Sequence, residues 1–160
     1  NTKGAVCSAL FAIDEINNDE ELLILNGSQL IKTDINPAIE SFRTKKLDGG
    51  IVTINAVHPK YSSVLLDENN LVVQTSEKRP ISNIASTGCC YFKKGSDFVD
   101  AAFSVIEKDV NTQGKYYISA TFNEMILNNK NIWVFEIPKK DYLTFSNYQM
   151  YEKHLALRKA

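Results

Sequence analysis

The chain has 160 residues, 44% of them hydrophobic and 23% charged, with 18 Lys+Arg against 19 Asp+Glu for a net charge of −1. That is enough chain for one domain with a real core. The balance leaves no basic excess to coat a nucleic-acid backbone, and no apolar run approaches the ~20 residues of a membrane helix.

The first element expected is a helix over residues 4–16, where Val6, Leu10, Ile13 and Ile16 recur at helical spacing among small Ala5, Ala9 and Ala12. Leu22-Leu23-Ile24-Leu25 then reads as a strand buried on both faces, broken by Asn26-Gly27. Asp34 is placed to cap a helix with Pro37 in its first turn, Ile39 and Phe42 facing the core, and an end near Asp48-Gly49-Gly50. Ile51 to Val57 is a strand. Val64–Leu66 and Leu71–Val73 flank the turn-rich Asp67-Glu68-Asn69-Asn70 and predict a hairpin. Gly88 to Phe92 is a further strand, and Asp97 to Lys108 is an amphipathic helix with Phe98, Ala101, Ala102, Val105 and Ile106 inward. Phe122 to Leu127 reads as helix and Ile132 to Ile137 as strand, with Trp133 and Phe135 as core side chains. Tyr148 to Leu157 reads as a closing helix. Helix and strand alternate, which argues an α/β fold.

Three cysteines are present, Cys7, Cys89 and Cys90. Neighbours in a strand point to opposite faces, so Cys89 and Cys90 are poor disulfide partners, and reduced thiols in a cytosolic protein are expected. The sequence opens at Asn1 and enters a helical pattern almost at once, so an upstream start is expected.

Several segments resemble, in order, the nucleotidyltransferase superfamily that makes nucleotide-sugars, of the glucose-1-phosphate thymidylyltransferase type, and in particular its short bacterial capsule- and lipopolysaccharide-associated members. They are Thr2-Lys3-Gly4-Ala5, Leu23-Ile24-Leu25-Asn26-Gly27, Gly49-Gly50-Ile51-Val52-Thr53, His58-Pro59-Lys60-Tyr61, Glu77-Lys78-Arg79-Pro80-Ile81-Ser82-Asn83, Ser86-Thr87-Gly88-Cys89-Cys90-Tyr91-Phe92, and Tyr116-Tyr117-Ile118 with Asn123-Glu124. Each is weak alone; together they span nearly the whole chain. The resemblance implies a single partial domain, 1–160, N-terminally truncated. Its sheet would be mixed and mainly parallel, with helices on both faces, the Rossmann-like nucleotidyltransferase fold.

It also implies a reaction in which a sugar 1-phosphate attacks the α-phosphorus of a nucleoside triphosphate and releases pyrophosphate, in precursor synthesis for surface polysaccharides. Such chemistry rests on positioning and charge neutralisation. By the resemblance, Glu77 takes sugar hydroxyls, Lys78 the sugar phosphate, and Gly88 lets the sugar approach the backbone. Tyr61 and Asn83 border the acceptor pocket, and Gly4 and Gly27 border the nucleotide. Residue type alone gives plainer readings: an exposed Glu77–Lys78 ion pair, a tight strand entry at Gly88, a packing aromatic at Tyr61, loop shaping by Ser82 and Asn83, and a helix start at Gly4. Tyr116, Tyr117, Asn123 and Glu124 read mainly as structural. The partners implied are the nucleoside triphosphate and the sugar phosphate, in the cytoplasm, with no nucleic acid or membrane.

Two departures from the family matter. Its strand ends in Gly-Asp, whose carboxylate holds magnesium; here the strand ends Asn26-Gly27-Ser28, and serine is a poor anchor for a hard cation. No catalytic or metal residue is assigned, and Asp34 and Asp141 do not align with a ligand. The glycine-rich phosphate loop is also absent. The expectations are therefore a chain without turnover by itself and an apolar sheet edge that invites self-association. The alternative is a non-catalytic sugar-phosphate binding relative. A glycosyltransferase ranks last, for want of an Asp-x-Asp site.

Overall fold

The computed structural model describes residues 2–145 and 151–152. The N-terminal helical stretch is divided: α1 (Ala5–Ala9) passes through a 3-10 turn at Leu10–Ala12 into α2 (Ile13–Ile16). Val6 is its buried anchor. β1 (Leu22–Leu25) pairs antiparallel with β6 (Ile84–Phe92) and, among the described strands, with nothing else. The expectation of a strand buried on both faces is corrected here. With one neighbour, only Leu22 and Ile24 reach the core, while Leu23 and Leu25 remain exposed.

β2 (Gln29–Ile31) and β8 (Tyr142–Thr144) form a separate antiparallel pair that the sequence reading did not anticipate. Three-residue strands carry no readable period. α3 (Asn36–Thr44) begins where Asp34 Oδ1 accepts the Asn36 N–H at 3.0 Å, with Pro37 in its first turn and Phe42 buried. It stops short of Asp48-Gly49-Gly50. Those glycines instead open β3 (Gly49–Asn55), and a Cβ on Gly50 would lie 2.4 Å from the Phe42 ring. Gly50 thus serves the close contact of α3 with the sheet rather than a helix end.

β3 is central. It pairs antiparallel with β6 on one side and parallel with β7 (Ile132–Glu136) on the other. β4 (Ser63–Leu66) and β5 (Val72–Ser76) form the expected hairpin, whose turn is closed by Asp67 Oδ1 accepting from the N–H groups of Asn69 and Leu71. The sheet is mixed as expected but mainly antiparallel rather than mainly parallel: among the described strands β3–β7 is its parallel pair, because β1, β4 and β5 all pair antiparallel on the β6 side. Helices cover both faces: α1, α4 (Gly95–Glu107) and α5 (Ile118–Leu127) pack on one, α3 on the other. The period of two sorts the side chains. Ile51, Cys90 and Phe92 enter the first core, whereas Val52, Ile54, Cys89 and Tyr91 enter the second. Phe92 stacks on Phe122 at 4.9 Å between ring centres and tilts against Phe98 at 5.0 Å, pairs of the kind that add about 0.5–1.5 kcal/mol beyond area burial. Trp133 and Phe135 flank the second core half-buried, with Lys45 Nζ 4.6 Å above the indole. The three cysteines are free. No described helix is long and apolar enough to cross a membrane. Of the predicted closing helix, only Tyr151 and Glu152 are described, and both are helical.

One irregularity positions the site. β6 is longer than the sequence suggested, and its register with β3 jumps from Val52↔Cys89 to Thr53↔Ser86, so Thr87 and Gly88 bulge from the ladder. β1 pairs with residues 89–92 of β6, and β4 meets it at Ala85. Both lie on the edge of β6 away from β3. The bulge therefore sits in the gap between the ends of β1 and β4.

Candidate functional site

A cleft of about 640 Å³ opens at that gap. Leu25, Asn26 and Gly27 form one lip, Ser62, Thr75 and Glu77 the opposite wall, and Ile51, Cys90 and Phe122 lie deeper, with Ser86 and Gly88 between. The start of α5 closes the far side through Tyr117, Ile118 and Ser119, and α1 contributes Ala5, Ser8 and Ala9.

Glu77 follows β5 and is held by two hydroxyls. Ser62 Oγ donates to its Oε2 at 2.5 Å and Ser119 Oγ to the same oxygen at 3.1 Å. Its Oε1 has no hydrogen-bond partner among the described residues. An ionised carboxylate is an acceptor only, with room for about four bonds, so the site keeps one oxygen for a donor that arrives from outside. Lys78 takes a different direction. Its backbone is left-handed (φ 55°), and its Nζ donates to Gln113 Oε1 at 2.6 Å and lies 5.5 Å from the Tyr117 ring centre. It does not line the cleft.

Gly88 has φ +82°, and a Cβ there would meet Asn26 Cβ at 3.1 Å. Its carbonyl accepts the Asn26 N–H at 3.2 Å, tying the bulge to the lip. Behind it, the Tyr142 hydroxyl donates to Thr87 O at 3.1 Å, and burial pushes this phenol up to about 12. Gly27 lines the same lip, with open space where a side chain would be. Gly4 has φ +115° and lies outside the cleft lining; a Cβ there would fall 2.4 Å from Tyr116 O. Its conformation serves the start of α1 against Tyr116, whose N–H donates to Lys3 O. Tyr61 packs toward the second core beside Tyr142 and His58, away from the cleft. Asn83 is exposed, and its carbonyl accepts the Ala56 N–H. Ser82 shapes the loop, with its Oγ donating to Val64 O and accepting the Ile84 N–H.

Of the residues assigned to the site, the structure brings Glu77, Gly88 and Gly27 to one cleft and leaves Lys78, Tyr61, Asn83 and Gly4 out of its lining, whereas the sequence reading had set Lys78, Tyr61 and Asn83 at the acceptor and Gly4 at the nucleotide. That reading missed Ser62 and Ser119. No motif marks them, because the pairing of residues 15 and 42 positions from Glu77 exists only once the hairpin meets α5.

The deep wall supplies no nucleophile. Cys90 is buried and its thiol is held well above its ordinary range by burial; Cys89 is pushed up to about 11 for the same reason. The magnesium that the resemblance implies does not fit the strand end. Ser28 Oγ and its N–H both donate to Asn26 Oδ1, at 3.0 and 3.1 Å, so the neutral groups there satisfy each other. Among the described residues no group of three His, Cys, Asp or Glu side chains could hold a metal ion. Divalent oxygen sites need anionic ligands, so no step is routed through a metal here.

Solved structures share this architecture. A nucleoside-diphosphate-sugar pyrophosphorylase from Vibrio cholerae RC9 superposes with a TM-score of 0.84 at 20% identity, over 98% of this chain and 66% of that one. A Bacillus anthracis protein assigned as a glucose-1-phosphate thymidylyltransferase, crystallised with a sucrose, gives 0.70 at 18% identity, over 98% and 62%. The chain thus spans a little under two thirds of either. No curated protein matches its sequence. The model of one family, Nucleotidyl transferase, matches residues 1–138. That match runs from α1 through β7 and takes in every wall of the cleft: this chain belongs to the nucleotidyl transferase family.

Proposed function

We propose that this chain is the acceptor side of an enzyme that moves a nucleotidyl group from a nucleoside triphosphate to a sugar 1-phosphate, in the cytoplasm and in the supply of surface-polysaccharide precursors. The observation that carries the reading is Glu77: one oxygen is pinned by Ser62 and Ser119 and the other is unpartnered among the described residues, in the cleft that Gly88 shapes. In the reaction, an oxygen of the acceptor phosphate forms a bond to the α-phosphorus. The bond from that phosphorus to the bridging oxygen breaks, and pyrophosphate leaves. The acceptor phosphate is already ionised, so no protein base is needed. The work of these residues is orientation. Glu77 Oε1 accepts sugar hydroxyls, and the bulge at Gly88 brings backbone close to the ring. Lys78, on its flexible stem, leaves Gln113 for the acceptor phosphate.

The test is equilibrium binding of hexose 1-phosphates. Glucose 1-phosphate is expected to bind, with Glu77→Gln weakening it about 10-fold, the scale of one charge-assisted hydrogen bond. No binding by any hexose 1-phosphate, or binding indifferent to Glu77→Gln, overturns the reading. A second reading follows from the self-satisfied Asn26–Ser28 turn: a relative that binds sugar phosphates without turnover. Ser28→Asp, made in a chain extended to carry the glycine-rich phosphate loop, separates the two. Pyrophosphate release that appears only in the Ser28→Asp variant supports the binding relative; release by the serine form removes it.

A further inference from the structure

A second chamber of about 290 Å³ lies behind the Glu77 wall. Thr75, Glu77, Tyr117 and Ser119 line both it and the main cleft, so these residues form the wall the two spaces share. Nothing assigned to the acceptor reaction so far uses it. Its walls differ in character from the main cleft, whose deep side is Ile51, Val64, Cys90 and Phe122. The second chamber has Ser76, Arg79, Thr112 and Asn123 beside Val110 and Ala120. Asn123 is committed: its Oδ1 accepts the Thr75 N–H and its Nδ2 donates to Thr75 O. Arg79 is not. It is exposed and makes no hydrogen bond or ion pair among the described residues. The Tyr117 hydroxyl is likewise without a partner there. Among the described residues Glu77 is the one carboxylate lining the chamber, and its Oε2 is occupied by the two serines. The cation of the adjoining residue, Lys78, stands over the Tyr117 ring.

We propose that this side chamber receives an anionic substituent of the acceptor, so that the enzyme prefers a sugar 1-phosphate carrying a second acidic group remote from the anomeric phosphate, with Arg79 as the specificity-determining residue. The inference rests on the acceptor reading of the main cleft. An arginine fork presents five donors in a plane that suits both carboxylate and phosphate. A guanidinium beside a pocket mouth with no partner among the described residues has its donor capacity available. Its exposure makes the attraction salt-sensitive.

The experiment compares three ligands by titration calorimetry on the whole chain at low and high salt: glucose 1-phosphate, glucuronic acid 1-phosphate and glucose 1,6-bisphosphate. The two doubly acidic ligands separate the carboxylate source from the phosphate source. At least one is expected to bind about 10-fold tighter than glucose 1-phosphate, with the advantage shrinking at high salt. Arg79→Gln should abolish the advantage and leave glucose 1-phosphate unchanged, and Arg79→Lys should restore part of it. Because Arg79 makes no ion pair among the described residues, both variants are expected to keep the parent thermal midpoint. Equal affinity for all three ligands, or an advantage that survives Arg79→Gln, overturns the proposal while leaving the acceptor reading intact. Failure of every ligand to bind overturns both.

Discussion

Replacing Gly88 with alanine isolates what the β6 bulge contributes. At φ +82° an alanine occupies a left-handed conformation, which costs about 1–2 kcal/mol for a residue with a Cβ. The new methyl would stand 3.1 Å from Asn26 Cβ, so the lip must yield by a few tenths of an ångström. The Asn26 N–H bond to Gly88 O at 3.2 Å is strained with it; a bond of this kind is worth about 0.5–1.5 kcal/mol net. With that bond weakened rather than lost, the variant should be destabilised by about 1–3 kcal/mol. Gly27 is the control. It lies on the same lip, its Cβ would touch nothing, and its φ is not left-handed, so Gly27→Ala should stay within about 0.5 kcal/mol of the parent. Urea unfolding with unchanged m-values measures both, and glucose 1-phosphate affinity should fall with Gly88→Ala and not with Gly27→Ala. Equal midpoints for the two variants would show that the bulge carries no conformational demand, and the reasoning from it to the cleft would fail.

Glu124 is almost buried, 6% exposed at its side chain, and is paired at 2.6 Å with Lys108. Lys108→Ala should cost about 1–3 kcal/mol by leaving that carboxylate unpaired, and adding Glu124→Gln should recover most of it in a double-mutant cycle. The Cys90 thiol, raised by burial, should resist alkylation at pH 8 in the folded protein, where about a quarter of an ordinary thiol is ionised, and react after denaturation, as counted by mass spectrometry. Glu21 accepts from Arg43 and from the Tyr91 hydroxyl, and its pKa is lowered from 4.5, chiefly by Arg43. A group whose folded pKa is depressed stabilises above its unfolded pKa and loses that contribution as pH falls through the folded value. Stability should therefore decline below pH 4.5, and Arg43→Ala should flatten that part of the decline in a pH series of denaturation midpoints.

Where local chemistry decides, the order of residues was enough. Periodicity placed α4, β7 and the β4–β5 hairpin, Asp34 and Pro37 set the start of α3, and the period of two sent Cys89 and Cys90 into different cores. The ordered segments from Thr2 to Glu124 identified the family. Other features required the chain to meet itself. Leu22–Leu25 reads as a doubly covered strand, yet its exposure depends on how many neighbours it acquires. Gly49-Gly50 reads as a helix end, yet the reason for Gly50 is the Phe42 ring 8 residues earlier in sequence. Glu77 was visible as a carboxylate in a motif, while the serines that hold it were not. A hydrogen bond between distant segments leaves no trace in spacing or composition, because its geometry is fixed only when β4, β5 and α5 converge on the bulge of β6.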